Sequence, residues 1–127
     1  MNTIVRLAAP LLLTFAVCAP AMAEPSNKWR IEVDASARAA GDVELSFTPA
    51  GAPAVAIVVA IPAGTNEDTA AALIRTAIDQ RFGEGVYATE IDDGEDVLVK
   101  AHGSTPDFEL VLVRNTATGL DLDLERE

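Results

Sequence analysis

The sequence predicts an α+β domain in which one amphipathic helix packs on one face of a mainly antiparallel sheet, with the elements in the order βββαββββ. Several short segments alternate apolar and polar residues with the period of two that is typical of half-buried strands. One central segment instead has a helical apolar stripe. A single stripe needs only one sheet face to cover it, which favours this architecture.

Residues 1–23 have the pattern of a secretory signal peptide. Arg6 gives a weakly positive start, an apolar run extends from residue 7 to 17, and Ala21-Met22-Ala23 is a cleavage motif. The apolar run is shorter than the roughly 20 residues that span a bilayer, so no transmembrane anchor is expected after cleavage. Cys18 follows Val17, not the small residue of a lipoprotein signal. The sequence therefore predicts a periplasmic or secreted protein that begins at Glu24 and has no cysteine.

The mature chain is predicted to have a flexible leader, residues 24–28, followed by a single domain, residues 29–127. Trp29 to Ser36 and Asp42 to Thr48 alternate as strands, and Gly41 lies between them. We expect these two strands to pair as a hairpin. Ala54 to Ile61 is an unbroken apolar run, which predicts a central strand covered on both faces.

The helix is the element that the sequence specifies most clearly. Thr65 and Asp68 resemble a capping box at its start, and Gly83 is suited to its end. Acidic residues near the start and Arg81 near the end match the helix dipole. The apolar stripe follows helical spacing and comprises Ala70, Leu73, Ile74, Ala77, Ile78 and Phe82.

A second hairpin is predicted from residue 86 to residue 101. Two β-prone runs flank an acidic segment with Asp93 and Gly94 at its tip, and an Asp-Gly pair between such runs favours a tight turn. The pattern leaves a two-residue and a three-residue loop both open. Alternation then predicts strands from Phe108 to Val113 and from Leu120 to Leu124.

The stretch from Val55 to Ala101 resembles a module of bacteriophage and contractile-tail proteins. The resemblance lies in the strand-ending turn Ile61-Pro62-Ala63-Gly64-Thr65, the helix sequence from Asp68 to Ile74 and the Asp93-Gly94 hairpin. It covers less than half of the mature chain. It implies an α+β topology and carries over no functional residue.

The charge balance indicates which partners to expect. The chain has 9 Lys and Arg against 20 Asp and Glu, a net charge of −11, which excludes nucleic-acid binding as the default because a phosphate backbone requires a basic face. Asp121, Asp123 and Glu125 alternate with leucines and share one face of the last strand. These acids either protect an edge strand from pairing with other chains or form a face that binds a basic protein or envelope component.

Two other polar clusters have residue types found in functional sites. The hairpin tip concentrates five carboxylates, which favours a solvated turn over weak calcium binding because the spacing does not match an EF-hand. His102, Ser104 and Asp107 share one short loop, where a catalytic triad could hardly converge. The five carboxylates of the tip are Glu90, Asp92, Asp93, Glu95 and Asp96.

These observations predict an exported, non-enzymatic binding module with no cofactor or metal. Two alternatives stay open: a small hydrolase that uses carboxylates, and an envelope structural protein that assembles through strand edges. An enzyme would hold its acids in a concave site with raised pKa values, whereas a binding module would hold them on a convex face or an exposed edge.

Overall fold

The computed structural model describes residues 24–127, so the predicted signal peptide lies outside the described residues. This part of the chain has the predicted α+β class and element order. None of its helices is long and apolar enough to cross a membrane. The elements are β1 (Lys28–Ala35), β2 (Gly41–Pro49), β3 (Val55–Ile61), α1 (Glu67–Phe82), β4 (Tyr87–Asp92), β5 (Asp96–Ala101), β6 (Phe108–Asn115) and β7 (Leu120–Arg126).

The strands form two antiparallel sheets, where the sequence suggested one. One sheet has four strands in the order β4-β5-β1-β7, and the other has three in the order β3-β2-β6. Helix α1 contacts β4 and β5 as well as β1 of the first sheet, and β3 of the second. The helix therefore packs against both sheets.

The predicted hairpin of β1 with β2 is wrong. β1 pairs with β5 and β7, whereas β2 pairs with β3 and β6. The connection between β1 and β2 is anchored elsewhere: the Ala37 N–H donates to Thr65 O at 2.8 Å, and Ala37 O accepts from the Gly64 N–H at 2.7 Å. The chain thus crosses from one sheet to the other. Alternation in a sequence identifies a strand's buried face but not its neighbours.

The prediction of a central strand at Ala54 to Ile61 is also wrong. β3 is an edge strand of the three-stranded sheet, and its burial alternates residue by residue. Ile57, Val59 and Ile61 are buried, while the Val58 side chain is 53% exposed. An apolar run is therefore compatible with one solvent-facing side, because the small residues Ala56 and Ala60 take the other outward positions.

Helix α1 begins one residue later than the capping prediction implies. Asn66 is the N-cap, and its side-chain oxygen accepts from the Thr69 N–H at 2.9 Å. The Thr65 hydroxyl instead donates to Pro62 O at 2.7 Å. Gly83 ends the helix with φ +83°, as predicted. Ala71 is fully buried, which the predicted stripe omitted.

The core lies between the sheets and the helix. Trp29 of β1 is 4% exposed, and its indole N–H donates to Phe108 O on β6 at 2.8 Å, so this side chain joins the two sheets. Phe47 stands in an aromatic cluster with ring centroids 4.8 Å from Phe82, 5.3 Å from Tyr87 and 5.8 Å from Phe108. Each aromatic pair at such distances adds stability beyond the buried area.

The predicted hairpin of β4 and β5 has a three-residue loop. Asp92 pairs with Asp96, and both Asp93 and Gly94 have positive φ. The predicted flexible leader is tied down in the structure, because the Ser26 N–H donates to Phe108 O and Ser26 O accepts from the Phe108 N–H, both at 2.9 Å.

Candidate functional site

The outer face of the four-stranded sheet carries a concave acidic site. We call it the acidic groove; its volume is about 520 Å³. Strands β1 and β7 and the end of the β4–β5 hairpin form its walls. Its lining residues are Glu32, Asp34, Glu95, Asp96, Asp121 and Asp123, together with Val33 and Leu122.

The strand register brings these carboxylates together. Glu32 of β1 stands opposite Asp123 of β7 and opposite Asp96 of β5, and Asp34 stands opposite Asp121. Directly opposed like charges destabilise an antiparallel pair. The fold therefore maintains an unfavourable concentration of negative charge along β1.

Arg30 neutralises one end of this face. Its guanidinium lies 2.7 Å from the Asp96 carboxylate, 3.0 Å from that of Asp92 and 3.3 Å from that of Glu127. The hydrogen bonds to Asp96 and then Asp92 raise the pKa of Arg30 above its ordinary value. Arg30 is thus permanently charged and forms ion pairs with three acidic residues at the edge of the groove.

The other lining carboxylates have no cation beside them. Within residues 24–127, no Lys, Arg or His lies within ion-pair distance of Glu32, Asp34, Glu95, Asp121 or Asp123. Five of the six groove carboxylates are therefore available to a cation from outside the described chain.

Two of these carboxyls have perturbed acidity. Desolvation raises the pKa of Glu32, and the charge of Glu125 and a hydrogen bond shared with it raise it further. Desolvation also raises the pKa of Glu95, with Glu67 as the largest charge acting on it. Both carboxyls hold a proton more readily than an isolated glutamate does.

The predicted acidic face of β7 is only part of this site. Asp121 and Asp123 line the groove, while Glu125 lies outside its lining and acts on Glu32. Sequence reasoning missed Glu32 and Asp34, which it treated as the polar side of the first strand. Their alternation showed that they face outward, but only the pairing of β1 with β7 shows that they face the same side as Asp121 and Asp123.

Two smaller groups of acidic residues lie at the hairpin tip, and one of them includes the start of the helix. Ligand oxygens of Glu67, Asp68 and Glu95 lie within 4.8 Å of one another, as do those of Asp92, Asp93 and Asp96. The first group combines the N-terminal turn of α1 with the hairpin tip, a juxtaposition that the sequence does not reveal. Three carboxylates supply fewer oxygens than the six to eight that Ca²⁺ takes, so water would have to complete either shell.

The loop that contains His102, Ser104 and Asp107 lies on the surface. All three residues are exposed. The Thr105 N–H donates to His102 O at 3.0 Å, which closes a tight turn within the loop. None of the three lines the acidic groove, so the structure gives this loop no part in the candidate site.

No protein-family model matches the chain, and no curated protein matches it in sequence. The resemblance of Val55–Ala101 to the contractile-tail module accordingly stays a prediction. The feature that bears on function is the acidic groove.

Proposed function

We propose that this protein is an exported binding module whose acidic groove binds a basic segment of a partner. One observation carries the proposal: six carboxylates surround one cavity of about 520 Å³, and five of them have no cation beside them within residues 24–127. A cleft lined by one sign of charge concentrates the electric field and attracts ligands of the opposite sign.

The location of the partner follows from the predicted signal peptide. A chain that is cleaved after Ala23 would meet its partner in the periplasm or outside the cell. A basic protein or a cationic envelope component fits the charge of the groove, and the net charge of −11 would speed its approach.

Binding of a lysine-rich peptide tests the proposal. We expect saturable binding to the protein, measured by fluorescence anisotropy of the labelled peptide, with an affinity that falls as salt rises because salt screens exposed charges over about 8–10 Å. Replacing Asp121 and Asp123 together by Asn should weaken binding about tenfold or more, since each loses a charge in the groove.

A matched control removes two acids elsewhere. Glu84 and Asp107 are exposed and lie outside the groove. The variant with Glu84→Gln and Asp107→Asn has the same net charge as the groove variant. Equal affinities of the two variants would mean that the peptide responds to overall charge and that the groove is not its site.

Carboxylate hydrolysis is the second candidate, and one observation favours it. The groove is concave and holds Glu32, whose raised pKa suits a proton donor, opposite Asp123. Glycoside hydrolases use such a pair of carboxyl groups as catalytic residues. Sugars usually need aromatic side chains to stack on, and no aromatic residue lines the groove. Binding therefore has the stronger support.

Hydrolysis of chromogenic glycosides separates the two candidates. A binding module should release no product above the spontaneous rate between pH 4 and 8. Turnover that disappears in Glu32→Gln, while the far-ultraviolet circular dichroism spectrum is unchanged, would replace the binding proposal by an enzymatic one.

A further inference from the structure

Glu109 is a second acidic feature, on the other sheet and away from the groove. It is 9% exposed and is the one charged residue that is buried among residues 24–127. It lies on β6 opposite Thr48 of β2. Within the same residues its carboxylate has neither an ion-pair partner nor a hydrogen-bond donor.

Glu109 lines a surface cavity of about 450 Å³ whose other walls are largely apolar. Three prolines and two alanines contribute most of the lining: Pro25, Pro49, Pro53, Ala50 and Ala52. A cation that enters from solvent would give Glu109 the ion-pair partner that it lacks within residues 24–127. We call this site the proline pocket.

Backbone hydrogen bonds hold the walls of the proline pocket in place. The Ala52 N–H donates to Pro49 O at 3.0 Å and closes a turn in which Gly51 has φ +77°, as a type II turn requires at its third position. The Ala50 N–H donates to Asp107 O at 2.8 Å and fixes this turn beside β6.

The opposite wall is fixed in the same way. The two hydrogen bonds between Ser26 and Phe108 place Pro25 next to the strand position of Glu109. The pocket is thus part of the folded domain and does not depend on a ligand to form.

We propose that the proline pocket binds a primary alkylammonium ion, with the cationic head on the Glu109 carboxylate and the alkyl stem against the prolines. An alkylammonium carries a compact charge at the end of a flexible apolar stem, so its head can lie on the carboxylate while the stem contacts the apolar walls. A metal ion is a poor fit because the pocket offers one carboxylate where Ca²⁺ needs six to eight oxygens. The alkylammonium could be a free amine or a lysine side chain.

Amide chemical shifts test this proposal directly. Protein obtained by expressing the full chain is titrated with n-butylammonium chloride at constant ionic strength. We expect saturable shifts at Ala50, Gly51, Ala52 and Glu109. Linear shifts without saturation, or equal shifts on titration with calcium chloride, would overturn the proposal.

Two variants locate the site, and a third serves as the control. Glu109→Gln removes the charge at nearly constant size, and Ala52→Leu fills the pocket from an exposed position. Each should weaken binding at least about tenfold, which corresponds to the loss of one charged hydrogen bond or of the stem contacts. Glu84→Gln removes an exposed acid that does not line the pocket and should leave binding unchanged. Equal binding by Glu109→Gln and Glu84→Gln would overturn the proposal.

Three further measurements cover a variant that does not fold, the source of the cation and the independence of the two sites. If Glu109→Gln does not fold, as judged by its thermal melt, Ala52→Leu decides, and unchanged binding by that variant overturns the proposal. Titration with Nα-acetyl-lysine amide distinguishes the sources of the cation: binding as tight as that of n-butylammonium indicates a lysine side chain, and loss of binding indicates a free amine. The Asp121→Asn, Asp123→Asn variant should bind n-butylammonium normally, so this test is independent of the acidic groove.

Discussion

The outer faces of the two sheets differ in chemistry although both sheets come from the same alternating pattern. On the four-stranded sheet, the outward positions of β7 and of the second half of β1 are acidic, and Asp121 and Asp123 are exposed. On the three-stranded sheet, exposed valines stand beside charged positions: Val58, Val111 and Val113 are 53%, 40% and 51% exposed, and Glu44 of β2 stands opposite Val58 and Arg114. We call the first the acidic face and the exposed valines of the second the apolar face.

The difference shows that the two sides of each sheet are under different constraints. Most inward positions of both sheets are apolar and buried, so the core specifies the fold. The outward positions contribute little to the core and are free to differ. Because the acidic face holds opposed like charges, we expect it to lower stability.

The largest expected effect is on the inward side of the three-stranded sheet. Phe47→Ala removes a fully buried ring that contacts three other aromatic rings. We expect the free energy of unfolding to fall by about 3–5 kcal/mol, as measured by urea denaturation. Val59→Ala on the same sheet is a smaller deletion, and a loss as large as that of Phe47→Ala would contradict the importance of the aromatic cluster.

The next effect compares the cations of the two outer faces. Arg30 on the acidic face is 20% exposed and bonds to three carboxylates, whereas Arg114 on the other sheet is 43% exposed and lies near Glu44 and Asp42. Arg30→Gln should lower the melting temperature by several degrees at low salt, while Arg114→Gln should change it little, because exposed pairs contribute little. Equal shifts would show that Arg30 has no special role in holding the acids.

A pH effect is expected on the acidic face. The pKa of Glu32 is raised above 4.5 in the folded protein by desolvation and by its acidic neighbours. The ionisation of Glu32 therefore costs stability: the cost is absent below pH 4.5 and grows as pH rises through the folded pKa. Glu32→Gln should match the parent protein at pH 4 and exceed its melting temperature at pH 7.

The matched control for this experiment is Glu84→Gln, an exposed acid outside the groove. It should follow the parent protein at both pH values. If Glu32→Gln is destabilised at pH 7, the repulsion inferred from the strand register is not the dominant interaction of Glu32.

The smallest effect is expected on the apolar face. Val58→Thr replaces a side chain that is 53% exposed and should change the free energy of unfolding by no more than about 0.5 kcal/mol. Thermal unfolding measures this. A loss of several degrees would mean that the apolar face is covered in solution, which sedimentation at increasing protein concentration would reveal as association.

Much of the local structure could be predicted from the sequence. The alternation from Trp29 to Val33 identified both a strand and its buried side, and helical spacing identified Ile74 and Ile78 as core residues. The predictions were wrong where a structural feature depends on a contact between two separate segments of the chain. Asn66 caps the helix in place of Thr65, because the Thr65 hydroxyl donates to the preceding turn. The predicted hairpin of β1 and β2 does not form, because Ala37 is hydrogen-bonded to residues that precede the helix.

The sequence by itself determined the class of the fold, the order of its elements and the inward residues, because these depend on periodicity within single segments. It also determined the excess of acid. Only the tertiary structure decided where that acid is concentrated. Pairing of β1 with β7 set Glu32 and Asp34 against Asp123 and Asp121. Docking of the turn after β2 and of the N-terminal segment beside β6 placed Glu109 in a surface pocket. Such contacts join segments that are far apart in the chain, and the pattern of one strand contains no information about the identity of its neighbour.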